Sequence, residues 1–118
     1  MFERYLIISN GKRPVQVKTR DVLWIERHLR KIYIVTDCET YEYYERMENI
    51  QPFLDSRFYP CLQGCYINFD KVKTMQEQKI IFENERVFYL GRANFIKTRQ
   101  AFKKYLKNKL ELHKSACN

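Results

Sequence analysis

Hydrophobic and polar residues alternate weakly from Tyr5 to Ser9, and the run ends at Asn10-Gly11, a dipeptide that readily takes positive φ and marks a hairpin. Pro14 to Lys18 reads as its partner strand. Val22-Leu23-Trp24-Ile25, following Asp21, is a short unbroken apolar run. Such a run predicts a strand buried on both faces, here the central core strand. Lys31 to Thr36 is β-branched and aromatic; after a polar tip at Asp37, Cys38 and Glu39, the segment Thr40 to Tyr44 alternates Tyr with Glu. This pair predicts a hairpin with one wet face.

Met47, Ile50 and Leu54 recur at spacings of three and four, which predicts one short amphipathic helix despite Pro52 in its interior, with Phe53 closing the same face. Phe58 to Cys61 has strand character, Gln63-Gly64 breaks it, and Cys65-Tyr66-Ile67 resumes it. Lys71 to Met75, Lys79 to Glu83 and Arg86 to Leu90 are three further strand-length segments separated by polar residues, which predicts a meander. From Asn94 the period changes. Phe95, Phe102, Leu106 and Leu110 recur at sums of three and four, while Lys97, Arg99, Lys103, Lys104 and Lys107 take other positions. The chain is therefore expected to be mostly β, with one short mid-chain helix and a basic C-terminal helix.

At 118 residues, 45% of them apolar and only three each Gly and Pro, the chain is long enough for one domain with its own core and excludes disorder or low complexity. The net charge of +8 is unevenly spread: residues 91–118 hold eight basic side chains and one acidic, which accounts for +7 of it. Such a block is a solvated helix face or a phosphate-binding surface. Glu3 and Arg4 interrupt the first apolar stretch, so it does not read as a signal peptide, and no run approaches the roughly 20 apolar residues of a membrane span. The expected compartment is the cytoplasm.

Cys38, Cys61, Cys65 and Cys117 have no paired CxxC spacing and read as reduced structural thiols; a metal site of Cys61, Cys65, His113 and Cys117 would need the C-terminal tail to fold back. No Gly-rich phosphate loop, HExxH or G-x-S-x-G is present. His28 has no nucleophile placed beside it and reads as a loop residue, while Glu83 and Glu85 read as surface. The expectation is a protein that is not an enzyme, with no cofactor, no metal and no small-molecule substrate.

Three stretches carry a family resemblance. Asp21-Val22-Leu23-Trp24-Ile25-Glu26 looks like the D-I-x-x-I-E strand of the LytTR family. Arg57-Phe58-Tyr59 through Tyr66-Ile67-Asn68 looks like its F-x-R-x-H-R-S-Y-I-V-N core. Tyr89-Leu90-Gly91-Arg92 stands where that family places a strand ending in Ser-Arg before its terminal helix. The resemblance runs from about Leu6 to Leu106, so residues 1–118 are expected to form a single LytTR-like DNA-binding domain in which 107–118 are a basic helical tail. It implies an elongated arrangement of small antiparallel sheets, found in bacterial transcription regulators, that sets loops into successive major grooves of double-stranded DNA. Binding of direct repeats as pairs, and so a homodimer on DNA, is implied as well. Family members often follow a receiver domain, for which this chain has no room; a stand-alone version or a fragment is expected.

The resemblance locates DNA contacts in three places: Arg30 and Lys31 after the Trp24 strand, Gln63 and Gly64 in the middle loop, and Arg92, Asn94 and Lys97 at the start of the terminal helix. Arg92 matches the family's Arg, and an Arg fork can engage guanine O6 and N7 together. Arg27-His28-Leu29-Arg30-Lys31 is a cationic loop suited to phosphate contact or to plain solvation. The middle loop departs from the family: Pro60, Leu62 and Gln63 stand where Arg, His and Arg are usual. Gln63 can pair with adenine N6 and N7, whereas Leu62 offers apolar contact alone, for instance to a thymine methyl. The altered loop also motivates an alternative, a protein-interaction or decoy module derived from such a domain with weak nonspecific DNA binding. RNA binding would instead need aromatics such as Tyr41, Tyr43 and Tyr44 displayed on a sheet face for stacking.

Overall fold

The computed structural model describes residues 4–9 and 13–117, with the side chains described as far as residue 112. Among the described residues ten strands run in chain order: β1 (Tyr5–Ser9), β2 (Pro14–Lys18), β3 (Val22–His28), β4 (Lys31–Thr36), β5 (Thr40–Tyr44), β6 (Phe58–Leu62), β7 (Cys65–Asn68), β8 (Val72–Gln76), β9 (Lys79–Phe82) and β10 (Val87–Tyr89). The chain ends in one helix, α1 (Arg92–Cys117). The strands form three antiparallel sheets: β1-β2, β5-β4-β3-β7-β6 and β10-β9-β8. The molecule is elongated, 48 × 36 × 25 Å. The Asn10-Gly11 turn lies outside the described residues.

The five-stranded sheet separates two cores, with β3 at its centre as its apolar run predicts. One face packs Val22, Ile25, Ile32, Ile34, Tyr43 and Phe58 against Leu6, Ile8 and Val17 of β1-β2 and against Met47 and Ile50. The other packs Leu23, Val35, Cys61, Cys65 and Ile67 against Phe69, Val72, Ile80 and Phe82 and against Phe95 and Phe102 of α1. A strand alternates faces at every residue, so Leu23 and Trp24 could not both reach the second core without an extra residue. The register shift of β3 against β4 between Val22 and Trp24 supplies it. Trp24 then lies between Phe82 and Phe88, with ring centroids at 5.3 and 5.2 Å. Pro60 lacks the N–H a central strand needs and sits on β6, at the sheet's edge beside a second register shift.

The mid-chain helix differs in form from the expectation. Met47–Asn49 and Gln51–Phe53 are two successive single turns of 3-10 helix. Pro52 occupies the second and cannot donate the interior hydrogen bond an α-helix would require. Met47 and Ile50 are buried, but Phe53 is 53% exposed and does not join their face.

The terminal helix corrects a second detail. Its inward positions are Phe95, Thr98, Phe102 and the half-buried Tyr105, whereas Leu106 and Leu110 are 45% and 54% exposed. Lys109 continues that inward stripe to Asp70, and Leu106 and Leu110 fall to one side of it, facing solvent. Burying Phe95 and Phe102 contributes roughly 2–3 kcal/mol each to docking α1. Tyr105 and Lys109 both donate hydrogen bonds to Asp70 Oδ1, the Lys109 ammonium at 3.1 Å, and close the docked segment.

Asn68, fully buried, joins the two halves of the fold. Its Nδ2 donates to the Val22 carbonyl at 2.8 Å, and its Oδ1 accepts from the Asp70 amide at 2.9 Å, which caps the 3-10 turn Phe69–Lys71.

Candidate nucleic-acid interface

Two tight turns emerge from one end of the five-stranded sheet. Leu29-Arg30 links β3 to β4 between the paired residues His28 and Lys31, and Gln63-Gly64 links β6 to β7 between Leu62 and Cys65. β3 and β7 are neighbours, and the Arg27 amide donates to the Gly64 carbonyl at 2.8 Å, so the turns are adjacent. Gly64 adopts φ +78°, which a turn of this kind demands at its second central residue and Gly adopts without strain. The Arg27 side chain lies along it: a Cβ at position 64 would meet Arg27 Cβ and Nε at 3.6 Å.

Beside these tips opens a groove of about 1300 Å³. Arg27, Leu29 and Arg30 line it from the first turn, Leu62, Gln63 and Gly64 from the second, and Asn94 and Lys97 from the start of α1. The two 3-10 turns and the residues before them also line it, with Arg46, Asn49 and Gln51 beside Glu45 and Glu48. The cations Arg27, Arg30, Arg46 and Lys97 thus outnumber the two carboxylates. Glu45 is engaged locally: Asn49 Nδ2 and the Arg46 amide both donate to its Oε1 at 2.8 Å, and the Asn49 bond, then the backbone one, hold its pKa below the ordinary carboxylate value. No acidic residue occupies the first turn of α1, which leaves the partial positive charge of its N-terminus uncompensated there.

Of the seven residues expected from the sequence, five (Arg30, Gln63, Gly64, Asn94 and Lys97) line this one groove. Lys31 does not. Its ammonium lies 3.7 Å from Glu42 Oε1 and 5.2 Å from the centre of the Tyr44 ring, held against β5. Arg92 is exposed at the first residue of α1, outside the groove lining. Arg46 was not legible in the sequence, because a lone cation between Glu45 and Met47 carries no signal; the tertiary structure brings it to the same groove as Gln63. Among the described residues, no carboxylate pairs with Arg92, Lys97, Arg99, Lys103, Lys104 or Lys107, whereas Lys109 is engaged by Asp70.

The tyrosines weighed for base stacking do not form a platform. Tyr43 is buried and Tyr41 packs on the same core, while Tyr44 faces the other way and is exposed. Burial, then the nearby Glu45 charge, push the Tyr43 hydroxyl up to about 12. Cys61 and Cys65 are buried free thiols flanking the second turn, and Cys61 Sγ contacts the Cys65 carbonyl at 3.8 Å. Among the described residues, no group of His, Cys, Asp or Glu could hold a metal ion. The side chains of His113 and Cys117 lie outside them. No helix among the described residues is long and apolar enough to cross a membrane.

A cation-rimmed groove at the end of small antiparallel sheets, bordered by a basic helix, has the charge and shape of a nucleic-acid-binding module. The family model of the LytTr DNA-binding domain matches residues 12–110, and the chain belongs to that family of DNA-binding regulator domains. No curated protein matches the chain. Among solved structures, it is similar to the LytTr DNA-binding domain of a Bacillus cereus protein described as a methyl-accepting/DNA response regulator. The TM-score is 0.67 at 12% identity, over 83% of this chain and 95% of that one. At that identity the likeness is one of fold.

Proposed function

We propose that this chain is a cytoplasmic bacterial transcription regulator that binds duplex DNA by setting the Leu29-Arg30 and Gln63-Gly64 turns and the start of α1 into successive major grooves, two copies acting at direct repeats. The observation that carries this reading is the convergence on one groove of five residues from three separate stretches of sequence. Arg30 and Lys97, which line the groove, are phosphate contacts that set affinity; Gln63 and Arg92 have the donors and acceptors for base edges. Asn94 supplies a further backbone contact from the same groove, and Lys31, engaged by Glu42, contributes only if it leaves that partner.

Titration of a random and a promoter-derived duplex at rising salt tests the proposal. Log affinity should fall linearly with log salt. Arg92→Ala or Gln63→Ala should lower affinity for the preferred duplex by roughly 1–3 kcal/mol while affecting the random one less. Absence of binding to both duplexes at low salt would sink the reading. Weak sequence-independent binding together with a protein that co-purifies would favour the protein-interaction alternative.

A further inference from the structure

Leu29 and Leu62 project apolar side chains from the two adjacent turn regions. Leu29 is 83% exposed and Leu62 36% exposed, and both line the groove with Arg30 and Gln63. Leu29 also adopts φ 59°, a left-handed conformation that is unfavourable for a residue with a Cβ and is ordinarily filled by Gly, Asn or Asp. A leucine there strains the turn, and at such exposure it gains almost no burial in return. Strain held at an exposed tip, unrewarded by packing, points to what the side chain touches outside the molecule.

Charge identifies the partner. The two leucines sit among Arg27, Arg30, Arg46 and Lys97, and a groove rimmed by those cations draws a polyanion. In the major groove of duplex DNA the apolar group that a base offers is the 5-methyl of thymine. Gln63, next to Leu62, has the amide geometry to pair with N6 and N7 of adenine, the base opposite thymine. We infer that Leu29 and Leu62 are specificity-determining residues that read thymine methyl groups, so that the two turns together select A·T pairs. This rests on the DNA-binding reading above and gives it a base preference.

The test replaces thymine by deoxyuracil, which keeps every hydrogen bond and phosphate and removes only the methyl. The full chain enriches a random duplex pool, and the enriched pool is remade with deoxyuridine in place of thymidine. The wild-type chain should bind the deoxyuracil pool roughly tenfold more weakly, as loss of two buried methyl contacts implies. Leu29→Ala with Leu62→Ala should abolish that difference and leave the salt slope unchanged, with folding checked by thermal melting. Leu29→Gly, which relieves the strain, should narrow the difference while raising the melting temperature. Equal binding of both pools by the wild-type chain, or an undiminished difference in the double variant, overturns the inference and leaves DNA binding standing. Failure to enrich or bind any duplex at low salt removes the DNA-binding reading itself, and this inference with it.

Discussion

The amide of Arg27 donates to the carbonyl of Gly64 at 2.8 Å, and this bond sets side by side two turns that lie far apart in the chain. It extends the β3-β7 ladder past the ends of the regular pairing, which stops at Glu26 and Cys65. Because the bond is part of a sheet, the spacing between the turns is the fixed distance between neighbouring strands, about 4.8 Å. Groups on the two turns are thus held at a set separation on a rigid scaffold.

Gly64→Ala tests that arrangement. Room is not the obstacle, since the nearest Arg27 atoms would lie at an ordinary 3.6 Å; the obstacle is φ +78°. A loss of about 1 kcal/mol is expected, read as a lower urea midpoint at unchanged slope. Gly64→Asn should lose less, because Asn tolerates the left-handed region.

Asn68→Ala removes both bonds made by a fully buried amide, leaving the Val22 carbonyl and the Asp70 amide without that partner. The expected loss is about 2–3 kcal/mol, and hydrogen exchange should show the start of β8 opening with β3.

Asp70 makes stability depend on pH. Burial alone would raise its pKa, but the hydrogen bonds from Tyr105 and Lys109 prevail and hold it below the ordinary carboxylate value. A group whose pKa is lower in the folded state stabilises the fold above its unfolded pKa, near 4, and that contribution disappears as pH falls through the folded value. Tyr105 acts in the opposite sense: burial first, then its bond to Asp70, raise its pKa, so its contribution is lost as pH rises above about 10. Tyr105→Phe should flatten both arms of a melting-temperature profile. At neutral pH it should lose about 1 kcal/mol at most, because Asp70 is partly solvated.

Thr98 is fully buried, and its hydroxyl finds no hydrogen-bond partner among the described residues. Thr98→Val keeps the shape and removes the unsatisfied group, so a gain of about 1 kcal/mol is expected in chemical denaturation.

Lys97 and Lys107 separate a groove cation from a helix-face cation. Lys97 lines the groove, and Lys107 lies about 15 Å further along α1. Lys97→Ala should reduce the slope of log affinity against log salt by about 1, and Lys107→Ala should leave it nearly unchanged.

The local signals in the sequence were strong for the strands. β4 and β5 have the bounds that their β-branched and aromatic pattern indicates, and the change to helical period before Phe95 locates α1, because side-chain periodicity follows directly from backbone geometry. Pro52 also carried a readable warning: the segment it occupies forms 3-10 turns and not an α-helix. The pattern could not show which side of α1 meets the domain, since Leu106 and Leu110 recur at sums of three and four with Phe95 and Phe102 yet lie beside the stripe that Tyr105 and Lys109 carry to Asp70.

What the sequence determined by itself is the mostly β class, the family resemblance, the site of the basic block and five of the residues that line the groove. What only the tertiary structure decided is which of those residues act together. Arg27 meets Gly64, Arg46 shares a groove with Gln63, and Lys31 turns away to Glu42, because strand order and register are long-range choices that no local pattern encodes. The positive φ of Leu29 was equally hidden, since it is imposed by a two-residue turn whose strands pair on either side of it.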